Sequence, residues 1–243
     1  MIDQDLPLIT HFEELRSRLL KSILAILASA AVAFFFSSNI LHLLLLPSGG
    51  LQLKAFNIMD GFGIRMQIAL YAGIVVAFPV WAYHLYRFIG PGLYDKERQA
   101  IFPMLFGSMV LFAIGAAFGY YLLWGMIRVM ITLFPPEVGF LPNADDYISF
   151  VLFMLLACGL AFQLPTFLLI FVRLHILSST VLRKQRKIAY FALFVFAEII
   201  TPVSDPIVSP LTVMVPLVIL YEVSIILAKR IEVERKRPEM IPV

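Results

Sequence analysis

The sequence is poor in charged residues for its length. Only 14% of its 243 residues are Asp, Glu, Lys or Arg, whereas 61% are hydrophobic. A water-soluble domain of this size carries about 25% charged residues. The chain is therefore predicted to be an all-α integral membrane protein, with residues 1–243 forming a single membrane domain.

Cysteine is almost absent, and histidine is not arranged for metal binding. The single cysteine, Cys158, lies inside an apolar run, which excludes a disulfide framework and a thiolate metal site. Four histidines fall at predicted span ends or surfaces and not as facing pairs at mid-membrane; they are His11, His42, His84 and His175. We therefore expect no haem, no metal and no other cofactor.

The motifs of several enzyme classes are missing as well. There is no G-x-x-x-x-G-K-[ST] loop, so the chain is not expected to hydrolyse nucleotides, and no pairing of a nucleophile with a base stands out. The net charge of +3 could suggest nucleic acid, but Lys and Arg lie in short loops between apolar runs. We expect neither an enzyme nor a nucleic-acid partner.

Apolar runs that could cross a bilayer recur along the chain. A straight membrane helix needs about 20 residues. We place six spans near residues 19–46, 64–86, 101–133, 147–174, 188–201 and 211–228. The fifth and sixth helices are predicted to be short. The first run is much longer than the roughly 7–15 apolar residues of a cleavable signal peptide, so it is interpreted as a span.

The positive charges alternate between connectors. Most Lys and Arg lie before span one, between spans two and three, between spans four and five, and in the tail 229–243, whereas residues 134–146 contain only acids. By the positive-inside rule, both termini are cytoplasmic. Interior prolines can kink their helices and so predict a curved wall with a concave face; they are Pro79, Pro103, Pro165 and Pro216.

Residues 1–18 are predicted to form a cytoplasmic amphipathic segment. Thr10 and Glu13 fit a capping box in which Thr10 is the N-cap, and apolar residues recur at helical spacing. Glu14 is then the freer carboxylate. It can pair with Arg18 four residues later, which is worth about 0.3–0.5 kcal/mol when exposed, without excluding a second role.

A short polar island at residues 87–98 separates two long apolar runs. Gly90-Pro91-Gly92 forces a turn, because Gly permits positive φ and Pro lacks an N–H. A helix capped by Asp95 would hold Glu97 in its first turn, where the helix dipole favours a carboxylate. Glu97 serves either helix-end electrostatics or, beside Phe88, as an acidic spot for a cationic partner.

Three polar residues fall within predicted spans. Gln163 lies near the middle of span four, where an amide needs a hydrogen-bond partner inside the bundle, in a cavity or on another chain. Glu198 and Glu222 could each be a proton site or could reach solvent. Gly115 and Gly119 form a G-x-x-x-G pair that suits either packing inside the chain or self-association.

Two stretches, residues 8–18 and 87–98, together resemble the TatC family, the multispanning core of the twin-arginine protein translocase. Further similarities are Pro47 after span one, the segment 159–165 around Gln163, the connector that holds Pro202 and Asp205, and Leu220-Tyr221-Glu222. Many family members have glutamate where this chain has Gln163, and others have glutamine. A role that needs charge at that depth is therefore not expected here.

The resemblance implies a receptor for signal peptides that carry two consecutive arginines. Glu14 and Glu97 would bind those arginines at the cytoplasmic face, in a site shaped by Phe88, Arg16, Arg18 and Arg98. Guanidinium pairs well with carboxylate, often bidentately, and Lys does not reproduce that geometry. The resemblance also implies TatA-like and TatB-like single-span partners, the inner membrane of a prokaryote and energy from the proton gradient. Membrane lipids and a second copy of the chain are further expected contacts.

Two other classes predict different patterns. A small-solute or proton-coupled transporter predicts polar residues clustered at mid-membrane and often an internal repeat, whereas this chain shows one mid-depth amide and no evident repeat. A membrane enzyme or haem protein is the third class, and an absorbance spectrum of the purified protein tests its haem version.

Overall fold

The computed structural model describes residues 8–90, 101–132, 141–201 and 208–236. Within these ranges the backbone is mostly helical, and β-pairing is limited to an isolated bridge between Lys54 and Asn143. Four helices are long and apolar enough to cross a membrane, or five spans result if a bent helix pair counts as one. The protein is thus an all-α membrane protein, as predicted.

The helices follow one another with short connections. They are α1 (Leu8–Phe35), α2 (Ser37–Leu45), α3 (Asp60–Val76), α4 (Phe78–Ile89), α5 (Ile101–Thr132), α6 (Ala144–Ala161), α7 (Leu164–Arg173), α8 (Ser179–Lys184), α9 (Arg186–Ile200) and α10 (Val208–Lys236). A 3-10 turn at Leu46–Ser48 contains Pro47, which is buried. The chain divides into two compact units, Met1–Met109 with Gly139–Phe153, and Val110–Val138 with Met154–Val243.

In the first unit, α1 packs against α3 and α4. The closest approach of α1 to α3 is at Gly73, where an added Cβ would lie 2.7 Å from the Cβ of Ala30 and 2.8 Å from its Cα. Such distances are far below van der Waals contact, so any larger residue at position 73 would force the two helices apart. Glycine therefore determines how closely the backbone of α3 approaches that of α1.

The junction of α3 and α4 is bent by 50°. Pro79 occupies the first turn of α4, where its missing N–H removes no necessary helical bond. The indole Nε1 of Trp81 donates a hydrogen bond to the carbonyl oxygen of Ile74, 3.1 Å away in the last turn of α3. The predicted kink at Pro79 is confirmed as a break between two helices.

A polar network in the first unit ties the start of α6 to α2 and α3. Gln67 Nε2 donates to Asp145 Oδ1 at 3.0 Å, and Ser149 Oγ donates to Gln67 Oε1 at 2.9 Å. The Tyr147 hydroxyl donates to the carbonyl of Leu44 at 3.0 Å. Each of these polar groups has a partner, so the network fixes the helices without leaving an unpaired dipole.

In the second unit, Gly115 and Gly119 of α5 contact the end of α6. An added Cβ at Gly115 would lie 2.6 Å from the carbonyl oxygen of Cys158, and one at Gly119 would lie 2.9 Å from the Cβ of Cys158. The G-x-x-x-G pair is therefore used for close packing inside the chain. Cys158 itself is buried, as expected for a small hydrophobe.

Two sequence predictions about helix ends are wrong. Thr10 lies within α1, which is already helical at Leu8, so Thr10 cannot have the extended backbone of an N-cap. The sixth helix was expected to be short, but α10 has 29 residues, 24 of which (Pro210–Val233) form a candidate span. The charged residues from Lys229 onward extend the helix, and Pro216 lies inside it.

The fifth helix is as short as predicted. α9 contains 15 residues, fewer than the roughly 20 that a straight span requires. The count of six spans therefore depends on α9, and it stays a prediction.

Candidate functional site

The N-terminal part of α1 meets the C-terminal end of α4 through an aromatic contact. The rings of His11 and Phe88 stack with centroids 4.4 Å apart and an interplanar angle of 20°. These residues are far apart in sequence, so the contact depends on the packing of α1 against α4. It holds the helix that carries Glu14 beside the chain segment that leads to Glu97.

Glu14 lies three residues after His11 on α1 and is already paired. Its Oε1 accepts a hydrogen bond from Arg18 Nε at 2.8 Å and a second from Arg18 Nη2. The predicted pair between Glu14 and Arg18 is therefore confirmed. Both bonds end on Oε1, and Oε2 accepts none from the described residues. Because a carboxylate offers about four lone-pair sites, Glu14 retains capacity for a second guanidinium.

The surroundings of this carboxylate are positively charged. Arg18, Lys21 and Arg87 lie close enough to His84 to act on it electrostatically, and Arg87 Nη1 donates to the Tyr83 hydroxyl at 2.8 Å. Nδ1 of His84 is buried and has no hydrogen-bond partner among the described residues. Arg16 is exposed, and its guanidinium forms no ion pair within the described part of the chain. A cationic ligand would therefore need a carboxylate of its own to bind here.

Three of the predicted site residues fall outside the described residues. Glu97 and Arg98 lie in the stretch 91–100, and Asp205 lies in the stretch 202–207. The site described here therefore consists of Glu14, Arg16, Arg18 and Phe88, and His11 is an addition that sequence reasoning had assigned only to helix capping.

In the second unit, Gln163 lies at the break between α6 and α7. The residue is 4% exposed, and Pro165 lies in the first turn of the helix that follows. Its backbone N–H donates to the carbonyl of Leu160 at 3.0 Å, and its own carbonyl accepts from Phe167 N–H at 3.0 Å. An amide buried in this way is suited to specific hydrogen bonding and not to solvent contact.

Glu222 joins α9 to α10 in the second unit. Its Oε1 accepts a hydrogen bond from the Tyr190 hydroxyl at 2.6 Å, and its Oε2 pairs with Arg186 Nη2. Beside it, the Tyr221 hydroxyl donates to the carbonyl of Leu182 at 2.9 Å. Glu222 therefore neither reaches freely into solvent nor lies alone as a proton site. Sequence reasoning missed this cluster, because Arg186 and Glu222 are distant in the chain.

Replacing Glu222 with alanine is expected to destabilise the protein by about 1 kcal/mol. Hydrogen bonds to charged groups are worth about 1.5–3 kcal/mol, and partial exposure of this pair lowers that value. Thermal unfolding of the detergent-purified protein measures the effect. Glu198→Ala is the matched control, since Glu198 is also a partly exposed carboxylate but has no partner among the described residues. Equal losses in the two variants would contradict the role assigned to Glu222.

No group of three or more His, Cys, Asp or Glu side chains in the described ranges is placed to hold a metal ion. The chemistry that these residues offer is therefore ion pairing, hydrogen bonding and aromatic contact.

Comparison with known proteins gives consistent similarities. Residues 10–216 match the family described as TatC, Sec-independent protein translocase protein. The chain is 37% identical over 228 residues to TatCy of Bacillus subtilis, covering 92% of this chain and 89% of that protein. It is 33% identical over 235 residues to TatC of Carboxydothermus hydrogenoformans, covering 96% of each.

Two crystal structures of a protein described as the twin arginine translocase receptor TatC are also similar. Each shares 33% sequence identity with this chain and covers 90% of it. Their TM-scores are 0.75 and 0.79, and the matched regions cover 98% and 99% of the respective crystallised chains.

Proposed function

The chain belongs to the TatC family of Sec-independent protein translocase proteins, and from that premise we propose that it is the receptor for twin-arginine signal peptides. A translocase component of this family is not an enzyme. The observation that carries the proposal is the stack of His11 on Phe88, which brings together the two segments that bear the proposed acids.

Glu14 is proposed to bind one arginine of the peptide. The remaining acceptor capacity of its Oε2 suits a guanidinium, and Arg18 fixes the orientation of the carboxylate through Oε1. The positive surroundings would repel a cation that failed to reach a carboxylate. Selectivity for arginine over lysine follows, because a guanidinium can share a carboxylate edge through two parallel N–H groups.

Glu97 is proposed to bind the other arginine. It lies nine residues after Phe88, and nine residues of extended chain reach at most about 30 Å. Because Phe88 is held against His11, the segment that carries Glu97 starts close to Glu14. Arg16 and Arg98 are proposed to disfavour peptides that place their charges differently.

The remaining parts of the proposal concern the membrane. The apolar part of the signal peptide would contact the chain near Gln163, and single-span TatA-like and TatB-like proteins would assemble with it. Transport of folded cargo would use the proton gradient across the inner membrane of a prokaryote. Both termini would be cytoplasmic, with α9 as the fifth of six spans and with Pro47 and Asp205 in supporting positions.

Site-specific crosslinking tests this function directly. A photoreactive residue is placed in turn at Glu14, Phe88, Glu97 and Gln163, and the purified protein is mixed with a signal peptide containing Arg-Arg or Lys-Lys. We expect crosslinks at all four positions with the Arg-Arg peptide and strongly reduced crosslinks with the Lys-Lys peptide. Tyr121, a highly exposed side chain of α5, is the control position. Equal crosslinking by both peptides would refute the assigned recognition.

A further inference from the structure

We propose that the end of the second unit where α8, α9 and α10 meet binds the phosphate headgroups of anionic membrane lipids. Three contacts tie these helices together. The Tyr221 hydroxyl bonds the carbonyl of Leu182, Glu222 pairs with Arg186, and Glu232 accepts hydrogen bonds from Ser179. The helix ends that carry the local positive charge are therefore held in a fixed arrangement.

Five exposed cations lie on this end of the unit, and we call them the basic patch: Arg183, Lys184, Lys187, Lys229 and Arg230. None of them forms an ion pair with any residue in the described ranges. The basic patch therefore presents positive charge that described residues of the chain do not neutralise.

The nearby carboxylates with described side chains are already engaged. Glu222 is bonded to Arg186 and Tyr190. Glu232 accepts from the Ser179 N–H at 2.8 Å through Oε1 and from the Ser179 hydroxyl through Oε2. Both acids are thus used to join helices, which leaves the basic patch available for an external anion.

Exposed apolar side chains lie one helical turn from the cations. Phe191 follows Lys187 by four residues on α9 and is 69% exposed, and Ile226 precedes Arg230 by four residues on α10 and is 57% exposed. Residues four apart share a helix face. A cation beyond an exposed apolar side chain matches a lipid, whose acyl chain lies along the apolar surface while its phosphate meets the cation.

This combination favours a lipid over a soluble acidic protein. Ile226 and Arg230 both lie within Pro210–Val233, a candidate membrane span, so the cation belongs to a helix that contacts the bilayer. A soluble acidic partner would use the cations but would leave Phe191 and Ile226 uncovered. Each Lys or Arg near an anionic membrane surface strengthens attraction by about fivefold.

The test compares lipids that differ only in headgroup charge. The purified full chain in neutral detergent is titrated with phosphatidylglycerol or phosphatidylcholine of identical acyl chains. Bound lipid is counted by native mass spectrometry, and thermal stability is followed in parallel. We expect selective binding of phosphatidylglycerol that weakens as salt is raised. In the triple variant Lys184→Gln, Lys187→Gln, Arg230→Gln, we expect at least about a tenfold loss of apparent affinity.

A second triple variant is the matched control. Lys54→Gln, Arg65→Gln, Arg128→Gln also removes three exposed cations, all outside the basic patch, and is expected to retain phosphatidylglycerol binding. The conservative variant Lys184→Arg, Lys187→Arg keeps the charge and should bind as the unmodified chain does, which separates charge loss from misfolding. Equal affinities in the two triple variants, or equal binding of both lipids, would overturn the proposal.

Two further probes separate the lipid from other anions. Inorganic phosphate at the same concentration is expected to stabilise the protein much less than phosphatidylglycerol, because it lacks the acyl chains that cover Phe191 and Ile226. Polyglutamate stands in for an acidic protein segment. If phosphate or polyglutamate competed as strongly as the lipid binds, the basic patch would be a general anion or protein surface, and lipid recognition would be excluded.

Discussion

The double substitution Glu14→Ala, Glu97→Ala is expected to weaken binding of a twin-arginine peptide by at least about 100-fold. Each hydrogen-bonded pair with a charged group contributes about 1.5–3 kcal/mol, so losing two of them corresponds to factors of about 10²–10⁴. In the double variant, Arg18 also loses its partner and adds an unpaired cation to the site. Fluorescence anisotropy of a labelled signal peptide, measured with the purified chain, gives the affinity.

The neighbouring acid supplies the control for this measurement. Glu13 is exposed on the same turn of α1 and has no partner among the described residues, so Glu13→Ala changes the net charge equally without touching the proposed site. Its affinity is expected to stay within about twofold of the unmodified chain, as for surface substitutions elsewhere. If the double variant bound within threefold of the unmodified chain, recognition by these two acids would be ruled out.

Local features of the fold could be predicted from the sequence. The pairing of Glu14 with Arg18 follows from their spacing of four residues on a helix, and the structure contains it. The break near Pro79 follows from the missing N–H of proline, and α3 is bent relative to α4 at that point. Such features depend on residues within one or two turns, where spacing and side-chain chemistry are sufficient.

Helix ends were predicted less well. Thr10 and Glu13 fit a capping box, yet the helix already includes Leu8, because neighbouring apolar residues continue it upstream. The end of the apolar run at residue 228 did not end α10, since Lys, Arg and Glu are good helix formers and carry the helix to Lys236. Hydropathy locates the part of a helix that lies in lipid, and it does not locate the helix terminus.

Contacts between distant segments were not visible in the sequence. The stack of His11 on Phe88 and the bonds of Glu222 to Arg186 and Tyr190 join residues that only helix packing brings together. A single sequence contains no information on which helix faces meet. A glycine inside an apolar helix, such as Gly73, is the one local signal of close helix contact that was present and was not used.

That glycine leads to the second prediction, in which Gly73→Leu destabilises the protein by about 3 kcal/mol. Even the first side-chain atom would lie 2.8 Å from the Cα and the backbone N of Ala30, and a backbone cannot rotate away as a flexible side chain can. Overpacking of this kind costs about 1–3 kcal/mol, and leucine adds three further carbon atoms beyond the first. For a chain of this size, the midpoint of thermal unfolding should fall by about 6–12 °C.

The same substitution should also lower peptide affinity, by about tenfold. Ala30 lies 16 residues after Glu14 on α1, about 24 Å along the helix, so displacing α1 at Ala30 moves Glu14 away from the segment that follows Phe88. Gly125→Leu is the control, because Gly125 is also helical but an added Cβ there meets no atom within 4 Å. Leucine has higher helix propensity than glycine, so this control should be at least as stable as the unmodified chain and bind normally. Equal unfolding midpoints for the two variants would show that the contact of Gly73 with Ala30 does not fix α1 in place.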